Sequence, residues 1–205
     1  ADQGFDLAGV WVEGDEGDGG LSFEDDFSDP GSGFLVAQGG GGTVAYDDGV
    51  LGVEAQSALD VPVPIRPPFP SVGTATVSVD GDLTAGYAGL CLGGDDGQYE
   101  FALSADGYAS IGRYPADGSD FVLLDEVTGA FPATGPWRLS AGWNTDGSST
   151  NLDLFVDDQR LVSVNDDAVT AFRGLSLCGT VAQSSAADAT ISYTYDDLVL
   201  VGDPG

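Results

Sequence analysis

Apolar and polar residues alternate in short runs almost from end to end of the chain, and each run stops at Gly, Asp or Pro. Residues 74–79 read Thr-Ala-Thr-Val-Ser-Val and meet a predicted turn at Asp80-Gly81-Asp82. Residues 99–104 alternate as Tyr-Glu-Phe-Ala-Leu-Ser and run into Ala105-Asp106-Gly107, with a second alternating run at 108–114. An Asp-Gly at such a junction predicts a hairpin. A second hairpin is predicted from residues 152–156 and 159–164 around Asp157-Asp158, and a last strand from 191 to 201 whose apolar face switches near Asp196-Asp197. Trp137, Leu139, Ala141 and Trp143 share one face of another strand, and that face is assigned to the core. No stretch keeps a 3.6-residue period over twelve residues. The pattern therefore predicts an all-β fold of many short strands, a sandwich or a barrel.

Two segments depart from this rhythm. Residues 61–70 carry five prolines, which bars a central strand and predicts a sheet edge or a surface loop. Residues 1–20 hold a short alternating run, 5–12, followed by an acidic glycine-rich linker. The chain is divided accordingly into an N-terminal arm and linker, 1–20, and a sandwich domain, 21–205. Phe5, Leu7, Val10 and Val12 supply the arm's apolar positions. Such an arm is either the first strand of the sandwich or a strand added to the sheet edge of another molecule.

Composition narrows the functions available. A 205-residue chain with 42% hydrophobic and 10% aromatic residues is large enough to bury a core without a metal or a disulfide. Thirty-four acidic residues face five basic ones, for a net charge of −29, a field that repels nucleic acid and anionic membranes. Histidine and lysine are absent, which excludes Ser-His-Asp and Cys-His catalysis, His-ligated zinc and Schiff-base chemistry. There is no apolar run of spanning length. With no signal peptide or initiator Met at its start, the chain is expected to be a processed, secreted or cell-surface protein. Cys91 and Cys178 both lie in apolar strand-like segments. In an extracellular setting they are expected to form one disulfide between neighbouring strands, two separate buried thiols being the alternative.

From about residue 21 to 203 the chain resembles a broad group of bacterial extracellular domains. Residues 23–34, Phe-Glu-Asp-Asp-Phe-Ser-Asp-Pro-Gly-Ser-Gly-Phe, look like the group's opening motif, and 46–53 like its second strand. The runs 87–91, 95–101 and 104–108 resemble the central three strands, 154–158 a hairpin, and 195–200 the closing strand. The group is the LamG-like or concanavalin A-like jelly rolls, near the 3-keto-disaccharide hydrolase-like domains. The resemblance implies a two-sheet antiparallel jelly-roll sandwich, to which the N-terminal arm, outside the resemblance, is added; the chain departs from the group at Leu51, at Leu92 and in the proline-rich loop.

Candidate chemistry follows from the acids. Glycoside hydrolysis needs two opposed carboxylates, and catalytic jelly-roll glucanases resemble one another in a strand bearing Glu-x-Asp-x-x-Glu. The chain has no such run, and its acidic pair Asp125-Glu126 reads as a turn. Calcium wants six to eight oxygens, and a jelly roll brings its first and last strands together. Asp25, Asp26, Asp29, Asp196 and Asp197 are thus candidate ligands of a structural Ca²⁺, with turn and cap residues as the alternative. Asp95, Asp96, Asp117 and Asp120 form a weaker cluster. The expected function is a non-catalytic extracellular recognition domain that binds carbohydrate. The alternative is a structural subunit of a filament or surface assembly in which residues 5–12 pair with a neighbouring copy. A hydrolase ranks third, so the chain is not expected to be an enzyme.

Overall fold

The computed structural model describes residues 12–13, 21–29, 37–39, 42–56, 63–64, 72–85, 87–131, 136–172, 174–180 and 190–204. In chain order the strands are β1 (Val12–Glu13), β2 (Leu21–Asp25), β3 (Ala37–Gly39), β4 (Gly42–Asp47), β5 (Val50–Gln56), β6 (Val63–Pro64) and β7 (Val72–Ala85). They continue with β8 (Tyr87–Gly94), β9 (Gly97–Ser104), β10 (Tyr108–Pro115), β11 (Val122–Thr128) and β12 (Trp137–Thr145). The last four are β13 (Thr150–Val156), β14 (Gln159–Asp166), β15 (Gly174–Thr180) and β16 (Thr190–Pro204).

Two antiparallel sheets stack as a sandwich. The larger runs β14-β13-β12-β7-β16-β5-β4-β3, with β2 also on β16 and β1 on β2; the smaller runs β11-β10-β9-β8-β15-β6. Alternation explains the layering: Val77, Val79, Leu139, Ala141, Leu152 and Leu154 of one sheet meet Leu90, Leu92, Phe101, Leu103 and Ile111 of the other, all buried. Trp137 and Trp143 belong to this core as the pattern predicts.

Both hairpins form. Asp106-Gly107 turns β9 into β10, with Gly107 at φ 83°. Asp157 and Asp158 turn β13 into β14, at φ 49° and 65°, the left-handed pair that a two-residue hairpin demands. The face switch in β16 is a register shift between Asp196 and Val199. Within the proline-rich segment, β6 sits at the edge of the smaller sheet.

Two predicted turns are strands instead. Residues 80–82 continue β7, because both neighbours hold them: Gly81 is paired with Trp137 on one side and Tyr195 on the other. A Cβ at Gly81 would come 2.5 Å from the Thr194 carbonyl oxygen and 2.8 Å from the Trp137 ring, so glycine is needed for close approach and not for turning. Asp80 is held at 2.6 Å by Arg138 Nε across the same pair. Asp125 and Glu126 lie within β11, opposite Ile111 and Ser110, and the register shifts next to them, between Ile111 and Gly112.

Part of the predicted arm pairs within the domain. Val12 and Glu13 add β1 to β2, opposite Ser22 and Leu21. Phe5, Leu7 and Val10 lie outside the described residues.

Candidate active site

The outer face of the smaller sheet is built from the residues that alternate with the core. Ala88, Leu90 and Leu92 point inward from β8, Tyr99, Phe101 and Leu103 from β9, and Ala109 and Ile111 from β10. The opposite face therefore carries Gly89, Cys91 and Gly93, then Gln98, Glu100 and Ala102, then Ser110, Gly112 and Tyr114. Strand pairing sets them in rows: Gly93-Gln98-Tyr114, Cys91-Glu100-Gly112 and Gly89-Ala102-Ser110. Six of these nine are Gly, Cys, Ala or Ser, too small to fill space above the sheet.

Glu100 stands at the middle of this floor and is only 9% exposed. Carboxylates are rarely found so deep, and those that are have partners. Around it rise taller groups. Tyr87 and Tyr108 meet edge to face at 5.9 Å. Glu126, opposite Ser110 on β11, accepts a hydrogen bond of 2.6 Å from the Tyr108 hydroxyl. Burial, and then that bond to Glu126, push the Tyr108 hydroxyl up to about 12. Phe121, just before β11, packs on Tyr114 with ring centroids 4.8 Å apart. Glu100 and Glu126 thus share one face, separated by a single strand.

Beneath the floor, Tyr99 turns its hydroxyl toward the end of the sandwich. It donates to Asp166 Oδ2 at 2.6 Å and accepts from the Val169 amide at 3.2 Å. Asp166 is 3.7 Å from Arg113 Nη1. This network ties the segment after β14 to β9 and β10, and so fixes the strands that carry the face.

The acids singled out as calcium ligands serve in part elsewhere. Asp25 Oδ1 accepts the Phe27 amide at 2.8 Å and Asp26 Oδ1 the Ser28 amide at 3.0 Å, turns that bury Phe27 at φ 51°. The Ser28 bonds hold the Asp26 carboxyl below its ordinary range. The first and last strands do meet, since Asp25 pairs with Leu198, and Asp196 sits opposite Asp80. Asp29 is exposed in the same turn segment, and the Asp197 side chain is outside the described set. Among the described residues no three metal-binding side chains gather in one group. Asp95, Asp96, Asp117 and Asp120 are exposed. Cys91 is disulfide-bonded, while the Cys178 side chain lies outside the described ones. No helix among the described residues is long and apolar enough to cross a membrane.

Sequence reasoning missed Glu100 and Glu126. The first was legible in part: most outward positions on these three strands are Gly, Cys, Ala or Ser, with Gln98, Tyr114 and one carboxylate, Glu100, among them. The second was hidden because Asp125-Glu126 has the composition of a turn.

No family model matches the chain, and no curated protein matches it. Solved structures do. A prokaryotic beta-1,3-1,4-glucanase (lichenase) derived from a mouse hindgut metagenome is 13% identical, with a TM-score of 0.61, and 90% of this chain covers 99% of that one. An endo-β-galactosidase from Clostridium perfringens that releases GlcNAcα1-4Gal is 10% identical with a TM-score of 0.63, covering 98% of this chain and 65% of that one. A sialidase aligns with 88% of this chain at 14% identity and a TM-score of 0.58, and there the chain spans only 20% of the enzyme's length. The fold is a concanavalin A-like jelly roll, as the sequence motifs implied. The expectation of a non-catalytic recognition domain, or of a filament subunit, is corrected by these neighbours. These neighbours are, by their names, enzymes that act on glycans, a class the residue inventory weighed only by seeking both carboxylates on one strand.

Proposed function

We propose that the chain is a glycoside hydrolase whose active site is the outer face of the smaller sheet. The observation that carries the reading is Glu100, a carboxylate 9% exposed at the centre of a floor of mostly small residues, with Glu126 on the same face across the intervening strand β10. Hydrolysis of a glycosidic bond uses one carboxyl group to protonate the leaving oxygen and a second to activate water or attack the sugar carbon. Two carboxylates on different strands meet this need as well as two on one strand do. Glu100, at the floor, takes the position nearest a bound glycosidic oxygen, and Glu126, held by Tyr108, supplies the second carboxylate. Tyr87, Tyr108 and Tyr114 offer the apolar-bodied, polar-tipped walls that sugars favour.

The reading also includes secretion, a Cys91–Cys178 disulfide, and a structural Ca²⁺ between β2 and β16. Strand register alone supports the last: Asp25 pairs with Leu198, next to Asp196 and Asp197 in sequence, and Asp26 and Asp29 follow Asp25.

Release of reducing ends from a panel of polysaccharides tests the activity. At least one polymer is cleaved by the unaltered chain, and Glu100→Gln lowers kcat by about 10²–10⁴-fold, the range for loss of a positioned proton-transfer group. An active Glu100→Gln variant would sink the assignment, and no cleavage of any polymer would sink the hydrolase.

A further inference from the structure

The same face carries a selection for the kind of glycan. Phe121 is 40% exposed, unusual for a phenylalanine at a sheet rim, yet its position is fixed. One side rests on Tyr114 and its tip lies above Gly112, where any Cβ would overlap the ring. Gly112 is the strand partner of Glu100, and Tyr114 of Gln98. The exposed ring therefore lies about one strand spacing, roughly 5 Å, from the buried carboxylate's strand. A fixed, partly exposed aromatic ring is the kind of surface on which the C–H face of a pyranose stacks.

Charge says what that pyranose belongs to. The face offers Glu100 and Glu126, and the described arginines are committed elsewhere: Arg113 to Asp166, Arg138 to Asp80 and Arg160 to Asp153. The chain's net charge is −29. A sulfated or uronate-bearing polymer would meet two carboxylates, no described cation and a repulsive field. An uncharged polymer pays none of this.

We infer that Phe121 is the stacking platform for a sugar ring next to Glu100, and that the substrate is an uncharged polysaccharide. The inference rests on the hydrolase reading, but it concerns affinity and not turnover, so the two fail separately.

Native gel retardation of the full chain in gels holding mixed-linkage glucan, laminarin, galactan or xylan, against carrageenan or polygalacturonate, tests it. At least one neutral polymer retards the chain and neither anionic polymer does. Phe121→Ala weakens that retardation tenfold or more, and Phe121→Trp, which keeps a platform, restores it. Should the alanine variant be poorly folded, Phe121→Leu decides: it keeps an apolar side chain against Tyr114 but no aromatic face, and full retardation by it overturns the platform. Unchanged retardation of Phe121→Ala, equal retardation by the anionic polymers, or no retardation by any neutral polymer each overturns the inference. Unchanged affinity with polysaccharide cleavage intact overturns the platform and leaves the hydrolase. Retardation lost in Phe121→Ala beside a fully active Glu100→Gln does the reverse.

Discussion

Tyr108 and Tyr99 are both harder to ionise than a free phenol, and for the same reasons in the same order. Burial disfavours the phenolate, and then a carboxylate accepting the hydroxyl proton disfavours it further: Glu126 for Tyr108, Asp166 for Tyr99. The sign of the consequence is fixed by which state loses its proton first. An unfolded tyrosine ionises near pH 10, while Tyr108 in the folded chain holds its proton to about 12. Below pH 10 the contribution to stability is complete; between 10 and 12 the unfolded chain sheds a proton that the folded chain keeps, and stability falls. Thermal midpoints measured from pH 9 to 12 should decline through that window, and Tyr108→Phe should decline less steeply. Equal slopes for the two proteins would mean that the Tyr108–Glu126 bond does not persist in solution. That bond matters beyond stability, because it sets the orientation of the second carboxylate on the active face.

Elements are where composition and position part company. Turn-forming residues make the two hairpins, yet the same residue types at 80–82 and 125–126 lie inside strands. Strand or turn is decided there by partners distant in sequence: Trp137 and Tyr195 for Gly81, Ile111 and Ser110 for Asp125 and Glu126. Alternation made the core legible, since every inward position of β8, β9, β10 and β12 could be read from a period of two. It could not show that Glu100 and Glu126 share a face, because that depends on pairing across β10. The β13–β14 hairpin offers a direct check on local conformation. Asp157 binds the Arg138 amide through its side chain and must stay, but Asp158, at φ 65°, makes no such bond among those seen. A non-glycine residue in this region costs about 1–2 kcal/mol, part of which glycine returns as chain entropy. Asp158→Gly should therefore stabilise the chain by about 0.5–1 kcal/mol, read as a higher urea midpoint at unchanged slope. A lower midpoint would place the favoured conformation of this turn elsewhere.

At the scale of the whole molecule, the charge of −29 acts on folding and on calcium through different physics. Like charges spread over one surface repel, and salt screens them: the Debye length falls from about 30 Å at 0.01 M to about 3 Å at 1 M. Sodium chloride should raise the thermal midpoint by several degrees over that range, whatever the cation. A Ca²⁺ site between β2 and β16 makes a stronger claim, because a ligand that binds only the folded chain adds about 2.7 kcal/mol at a hundred times its dissociation constant. In a protein of this size each kcal/mol moves the midpoint by roughly 2–4 °C. Melts in calcium and in magnesium at matched ionic strength separate the two effects. The site requires a higher midpoint in calcium that a chelator removes and that Asp196→Asn, at the register shift opposite Asp80, abolishes. Identical midpoints in the two cations would leave screening as the whole effect. Asp25 and Asp26 would then serve the turn alone, through the bonds their carboxylates accept from the Phe27 and Ser28 amides.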